Sequence, residues 1–221
     1  LKADWNEEAL IDANLSKIKS NNSSFTGSLG YVYRFENNFQ ISTNFSSGFR
    51  SPNIDDVGKI RENKGILSVP NQSLKPEFAY SSEINFSKFS SDKKNVFSVN
   101  LYYTHIENHI VRDYYSILND LTTIDPTTIL YNSEEVKTMA NINYGNAYIF
   151  GGSFDAQSSI LKNLFFKASV TSTNGGSVKN MYNLPSISPL FGHIALKFVS
   201  SDIKVQLSYK FSEGKNPSDY S

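Results

Sequence analysis

Phe25-Thr26-Gly27-Ser28-Leu29-Gly30-Tyr31-Val32-Tyr33-Arg34-Phe35 runs into Glu36-Asn37-Asn38 and then into Phe39-Gln40-Ile41-Ser42-Thr43-Asn44-Phe45-Ser46. Taken two at a time, Phe25, Leu29, Tyr31, Tyr33 and Phe35 fall on one side, and Thr26, Ser28, Gly30, Val32 and Arg34 on the other. Past the turn, Phe39, Ile41, Thr43 and Phe45 oppose Gln40, Ser42, Asn44 and Ser46. A period of two puts alternate side chains on opposite faces of a strand, so the stretch reads as a long hairpin with one apolar and one polar face.

The pattern recurs downstream. Ile84 and Phe86 alternate with Glu83, Asn85 and Ser87, and Phe97, Val99, Leu101 and Tyr103 with Ser98, Asn100, Tyr102 and Thr104. One further strand is expected through Ile142, Tyr144, Tyr148, Phe150 and Phe154, opposed by Asn141, Asn143, Gly151, Ser153 and Asp155. Leu164 to Thr171, His193 to Phe198 and Ile203 to Phe211 complete the set, about eight strands in all. Glu7 to Ile18 is a candidate for a short helix.

Two features mark this pattern off from an ordinary half-buried sheet. Many runs hold their alternation for about 10 residues, the length a tilted strand needs to cross a hydrocarbon layer, against ~5–6 in globular sheets. The connections also alternate in length. Glu36-Asn37-Asn38, Ser91 to Asn95, Leu161-Lys162-Asn163 and Ser200-Ser201-Asp202 are tight, whereas Arg50 to Pro76, Asp113 to Val136 and Thr173 to Pro189 are long loops. In an up-and-down meander every second connection lies at the same rim, so short turns gather at one end and long loops at the other. Outer-membrane barrels are built this way. The apolar faces carry no charge through their middles, and Lys88 sits near the short-turn end, where a lipid-facing charge costs about 0–1 kcal/mol. Phe35, Phe39, Phe89, Phe97, Phe198, Tyr209 and Phe211 suit interfacial girdles. The expected fold is all-β, an antiparallel up-and-down transmembrane barrel.

Composition narrows the function. The 221 residues carry 21 basic and 21 acidic side chains, which supplies no basic excess for tracking nucleic-acid phosphates. Cysteine is absent, which excludes disulfides and thiolate metal sites. No apolar run reaches the ~20 residues of a membrane-spanning helix. No nucleophile–base set, zinc-protease helix or phosphate-binding glycine loop is present, so neither enzymatic activity nor a cofactor is expected.

One segment speaks more specifically. Asn44-Phe45-Ser46-Ser47-Gly48-Phe49-Arg50-Ser51-Pro52-Asn53 resembles the "GFRAPN" box of TonB-dependent receptors, where a strand leads into an extracellular loop. Pro70-Asn71-Gln72-Ser73-Leu74-Lys75-Pro76-Glu77 is similar to their "NPxLKPE" box, and Tyr80-Ser81-Ser82-Glu83 to the "Y-x-x-E" that follows. Asn143 to Phe154 resembles their "N-x-x-x-x-x-x-G-x-E" strand, with Ser153 where the Glu commonly stands, and Pro185 to Phe198 their late "P-x-x-P" entry. The boxes keep the family's order from about Phe25 to the end. The resemblance implies that residues 1–221 are part of a barrel of about 22 strands with a plugged lumen. It implies a plug domain, a TonB-binding segment and further strands outside this stretch. It also implies an outer-membrane receptor of a Gram-negative bacterium, surrounded by lipid. Such a receptor takes up an iron–siderophore complex, haem or cobalamin with energy from TonB.

The box residues Gly48, Phe49, Arg50, Pro52, Asn53, Leu74, Lys75, Pro76 and Glu77 are read as structural, since proline has no N–H to continue a ladder. Ligand candidates are Arg50, Arg112, Tyr114, Tyr115, Tyr131 and His193, and a metal chelate is the expected ligand class. Arg34, Arg50, Lys167, Lys197, Lys204 and Lys210 make the polar face moderately basic, with Glu83 and Asp155 expected to pair with them. His105 and His109, four apart on a strand, would stand ~13 Å apart on one face, too far to share a metal. Asp55, Asp56 and Glu62 read as a solvated acidic loop rather than a calcium site. Haem receptors of the family this chain resembles often carry a histidine between the two boxes, and the interval Asn53 to Val69 holds none, so the resemblance speaks against haem. A passive pore or adhesion barrel of about eight strands, and a soluble β-sandwich, are the alternatives.

Overall fold

The computed structural model describes residues 22–57, 60–117, 127–179, 183–184 and 187–214. In chain order the elements are β1 (Ser28–Arg34), β2 (Phe39–Arg50), helix α1 (Ile54–Val57), β3 (Arg61–Asn63), β4 (Ile66–Ser68), β5 (Glu77–Phe89) and β6 (Val96–Glu107). There follow β7 (Ile110–Tyr114), β8 (Thr128–Tyr131), β9 (Glu134–Asn143), β10 (Ala147–Leu161), β11 (Leu164–Ser177), β12 (Phe191–Val199) and β13 (Lys204–Ser212). The helix expected over Glu7 to Ile18 lies outside the described residues. The chain divides into two compact units.

The larger unit is an eight-stranded sheet in the order β1-β2-β5-β6-β10-β11-β12-β13. It is the expected antiparallel meander, and its path runs from edge strand β1 to edge strand β13. Register decides what each face shows. Val99 stands beside Phe154, Phe154 beside Val170, Val170 beside Gly192, and Gly192 beside Phe211. One row over, Phe97, Ala156, Ala168, Ile194 and Tyr209 line up in the same way. A one-residue slip would scatter these rows across both faces.

This apolar face is the open one: Leu101 is 49% exposed, Leu196 40% and Leu207 73%. A water-soluble sheet hides such a face, and a lipid-facing strand shows it. Tyr33, Phe35, Phe39 and Phe86 form a chain of ring contacts near the short turns, with centroids 4.6–6.4 Å apart. Tyr103 pairs with Phe150 towards the other rim, where Tyr209 and Phe211 stack at 6.2 Å. Aromatic rings therefore stand at both ends of the band, as interfacial girdles do. Phe89 departs from the expected girdle, because alternation places it with Glu83, Asn85 and Ser87 on the polar face. Lys88 shares the face of Phe86, and its Nζ reaches back to the carbonyl of Asn37 in the β1–β2 turn. That snorkelling removes the charge from the apolar band.

Behind the band, Ser81 bonds Thr104 at 2.8 Å and Ser87 bonds Ser98 at 3.0 Å. Tyr102 crosses its neighbour in the register, Gly151, and its hydroxyl meets that of Thr173 at 2.5 Å. A Cβ at Gly151 would strike the Tyr102 ring, so the glycine makes room for that crossing. On the other face the Phe211 ring lies over Gly192 in the same manner.

The smaller unit corrects the expected long loops. Arg50 to Pro76 and Asp113 to Val136 contain α1, β3, β4 and β8, and with β7 and β9 they make a five-stranded sheet. Its order is β3-β4-β9-β7, with β8 also on β9, and the β4–β9 ladder is parallel. Leu67 and Thr138 are fully buried on one face, packed with Val69, Ile129, Val136 and Ala140. Thr138 satisfies its hydroxyl at the carbonyl of Tyr115, 2.6 Å away. The expected strand through Ile142 and Phe154 is two strands, broken at Tyr144–Asn146, where Gly145 takes φ 117°. That angle is open to glycine and strained for other residues. β11 also runs on to Ser177, shortening the third connection.

Candidate functional site

The box residues from Phe49 onward are joined within the smaller unit by a lattice of side-chain hydrogen bonds and packing. β2 ends at Arg50, as expected of the proline that follows at position 52. Asn53 then caps α1: Asp56 N donates to Asn53 Oδ1 at 2.9 Å, and Asn53 N to Asp56 Oδ2 at 3.0 Å. Reciprocal bonds of this kind satisfy donors that a helix start leaves open. Asp56 is only 6% exposed, so the expected solvated acidic loop is wrong at this residue. Arg50 Nη2 reaches both of its carboxylate oxygens at 3.0 and 3.1 Å, and Asn141 Nδ2 donates to Oδ1 at 2.7 Å. One carboxylate thus ties the box to β9. Glu62 is engaged separately, accepting the amide of Gly65.

The second box is anchored by asparagines. Asn71 donates to the carbonyl of Asn141 and accepts from Ser73. Asn143 accepts from Lys75 N at 2.7 Å and donates to Lys75 O and Asn108 O. Leu74 packs with Val57 and Ile110. Phe49 and Phe78, flanking the two boxes, bring their rings to 5.4 Å. Gly48 is uncrowded, its nearest neighbour being Ala79. Glu77 accepts from Ile110 N at 2.8 Å and meets His109 Nδ1 at 3.0 Å. Burial pushes the Glu77 carboxyl up, but the His109 and Ile110 hydrogen bonds and the charges of His109 and Arg50 outweigh it and hold the group below its ordinary 4.5. Glu77 belongs to the smaller unit, outside the spanning part of β5. The expected same-face histidine pair is absent, since β6 ends at Glu107 and Asn108 takes φ 54°.

The ligand candidates separate. Arg50 is committed to Asp56. Tyr115 and Tyr131 pack against the core of the smaller sheet, and the Tyr115 hydroxyl points to Asn71 Oδ1 at 3.4 Å. His193 lies on the polar face of the larger sheet, between Ser169 and Lys210 in the register. With Lys167 and Lys197 it lines an open concavity of about 680 Å³. The expected pairing of Glu83 and Asp155 with these bases does not occur: among the described residues the ion pairs are Arg50–Asp56, Lys94–Asp92 and His109–Glu77.

Arg112 and Tyr114 stay open to solvent and share a face of the smaller sheet. The register sets Arg61 beside Ser68, Ser68 beside Met139, Met139 beside Tyr114, and Asn141 beside Arg112. Lys137 lies over the Tyr114 ring at 5.3 Å. Arg61, Ser68, Met139 and Lys137 escaped sequence reading, because a parallel ladder between segments some 70 residues apart leaves no local signal.

Similarity to known proteins agrees with this geometry. The family model described as "TonB dependent receptor-like, beta-barrel" matches residues 4–220. Among solved structures, the siderophore receptor PirA from Acinetobacter baumannii aligns at a TM-score of 0.66 with 14% identity, covering 84% of this chain and 28% of its own. The Serratia marcescens hemophore receptor HasR, solved with its hemophore and heme, gives 0.66 and 14%, covering 85% and 32%. The copper transporter OprC gives 0.63 and 16%, covering 85% and 26%. The chain therefore spans about a third or less of these proteins' lengths. No curated protein sequence matches the chain.

Proposed function

The chain belongs to the TonB-dependent receptor β-barrel family of the Gram-negative outer membrane, and from that premise we propose that it forms part of the wall and outer loops of a receptor for TonB-powered uptake of a metal chelate. The observation that carries this reading is the larger sheet, whose long strands show an uncharged apolar face outward and a hydrogen-bonded polar face behind. Only a barrel wall between lipid and a wet interior needs that arrangement. The structural neighbours are named for siderophore, heme and copper, so the fold leaves the cargo open. An iron–siderophore complex is placed first, since Asn53 to Val69 offers no histidine as a haem ligand. Energy coupling runs through a TonB-binding segment and plug outside this stretch.

A strain lacking the whole gene tests the reading on defined iron, haem and vitamin sources. Growth is expected to fail on at least one ferric chelate, and a strain lacking TonB is expected to show the same defect. Unchanged growth on every source would sink the receptor reading.

A further inference from the structure

The outward face of the smaller sheet is unlike its buried side. Arg61, Arg112 and Lys137 stand on it with Tyr114, Met139 and Ser68, and two adjoining concavities of about 240 and 340 Å³ share Arg61, Ser68, Arg112 and Met139 as walls. Arg112 Nη2 donates to Ser68 Oγ at 2.7 Å, and Ser68 is the direct cross-strand neighbour of Arg61. Both arginines therefore stand on the walls of the same two concavities. Neither has a carboxylate within 4.0 Å among the described residues. Asp56, which also lines the first concavity, is neutralised by Arg50. Asp55 is the one other acid on that wall.

Like charges set side by side repel unless something between them is negative. Arginine's planar fork matches oxygen anions in a bidentate way, and the Met139 thioether adds a polarisable wall to both concavities. We infer that this face is a binding site for a soluble oxyanion, carrying carboxylate or phosphate oxygens, held between Arg61 and Arg112. This rests on the receptor reading and narrows it: the cargo, or the part of it that meets this sheet, is anionic.

Calorimetry on the purified full-length protein in detergent tests it with citrate, inorganic phosphate and the uncharged triethyl citrate. Citrate or phosphate is expected to bind and triethyl citrate to give no heat. Arg61→Ala, which breaks no ion pair among the described residues, is expected to weaken binding by about tenfold, which corresponds to roughly 1.4 kcal/mol. Arg61→Ala with Arg112→Ala should abolish it, Arg61→Lys should weaken it less, and Lys162→Ala in the β10–β11 turn should leave it unchanged. Equal affinity in wild type and Arg61→Ala overturns the inference. So does the absence of anion binding, or binding confined to phosphatidylglycerol vesicles with none to free anions. The two readings fail separately: a gene deletion that spares all chelate uptake removes the receptor reading, whereas an unaltered titration in Arg61→Ala removes the anion site.

Discussion

The two sheets of this chain use the same alternation for opposite ends. In the smaller one, Leu67, Val136, Thr138 and Ala140 turn inward to a dry core, while Arg61, Lys137 and Arg112 face water. In the larger one the apolar residues Leu101, Leu196 and Leu207 are the exposed set, and the polar set bonds across strands behind them. Nothing in a single strand's pattern says which side is which. What differs is the partner: the five strands of the smaller sheet bury their apolar face on their own unit, and the eight strands of the larger one leave theirs to be covered by a solvent that is itself apolar. Alternation reports two faces, and the surroundings assign them.

The sharpest way to break that contrast is thiol labelling in intact cells. Cysteines replacing Leu101, Leu196 and Leu207 should resist an aqueous maleimide, and one replacing Tyr114 should react fully. Equal labelling at all four positions would abolish the distinction between the sheets.

Stability changes should divide along the same line. Leu67→Ala removes a fully buried side chain, and is expected to cost about 2–5 kcal/mol by the usual transfer and cavity penalties. Urea titration should show that loss as early exposure of the smaller unit, with the larger sheet intact. Leu101→Arg puts a charge into the apolar band, at an expected cost of about 2–4 kcal/mol if the residue meets lipid. Folding into vesicles of increasing thickness measures it, and a negligible penalty would mean that the band faces water.

Asp56→Ala should be felt less, at about 2–3 kcal/mol, because a buried acceptor is lost from Arg50, Asn53 and Asn141 while half-exposed Arg50 regains water. Asp56→Asn should recover part of that. Hydrogen exchange at α1 and β9 is the readout, and unchanged protection would show that the lattice is incidental.

The smallest effect concerns Glu77. Its folded pKa lies below the ordinary 4.5, so its contribution is complete above that value and disappears as pH falls through the folded value. Protection of Ile110 relative to the intrinsic exchange rate at each pH should therefore fall as the medium is taken below about pH 4.5, and Glu77→Gln should make that protection independent of acid. A variant that keeps the wild-type acid profile would assign it to another group.

How much was legible beforehand can be read from particular residues. The eight long strands were, because each announces itself by local alternation. So were the stop of β2 at Arg50 and the start of β5 at Glu77, next to prolines at 52 and 76 that cannot donate to a ladder. The break at Gly145 was missed because the parity of apolar residues continues through it. The small sheet was missed because β3, β4 and β8 have only three or four residues each, too few to show a period. The expected ion pairs of Glu83 and Asp155 failed because sharing a face does not set a distance.

By its sequence alone, this protein was determined to be a meander of long strands with one greasy and one wet side, since strand periodicity and turn chemistry act between residues close along the chain. Tertiary structure alone decided that Asp56 is buried, that Arg50 is taken, and that Arg61 and Arg112 line the same concavities. Those outcomes depend on which distant segments pair and in what register, and pairing energies between remote strands leave no mark on either strand by itself.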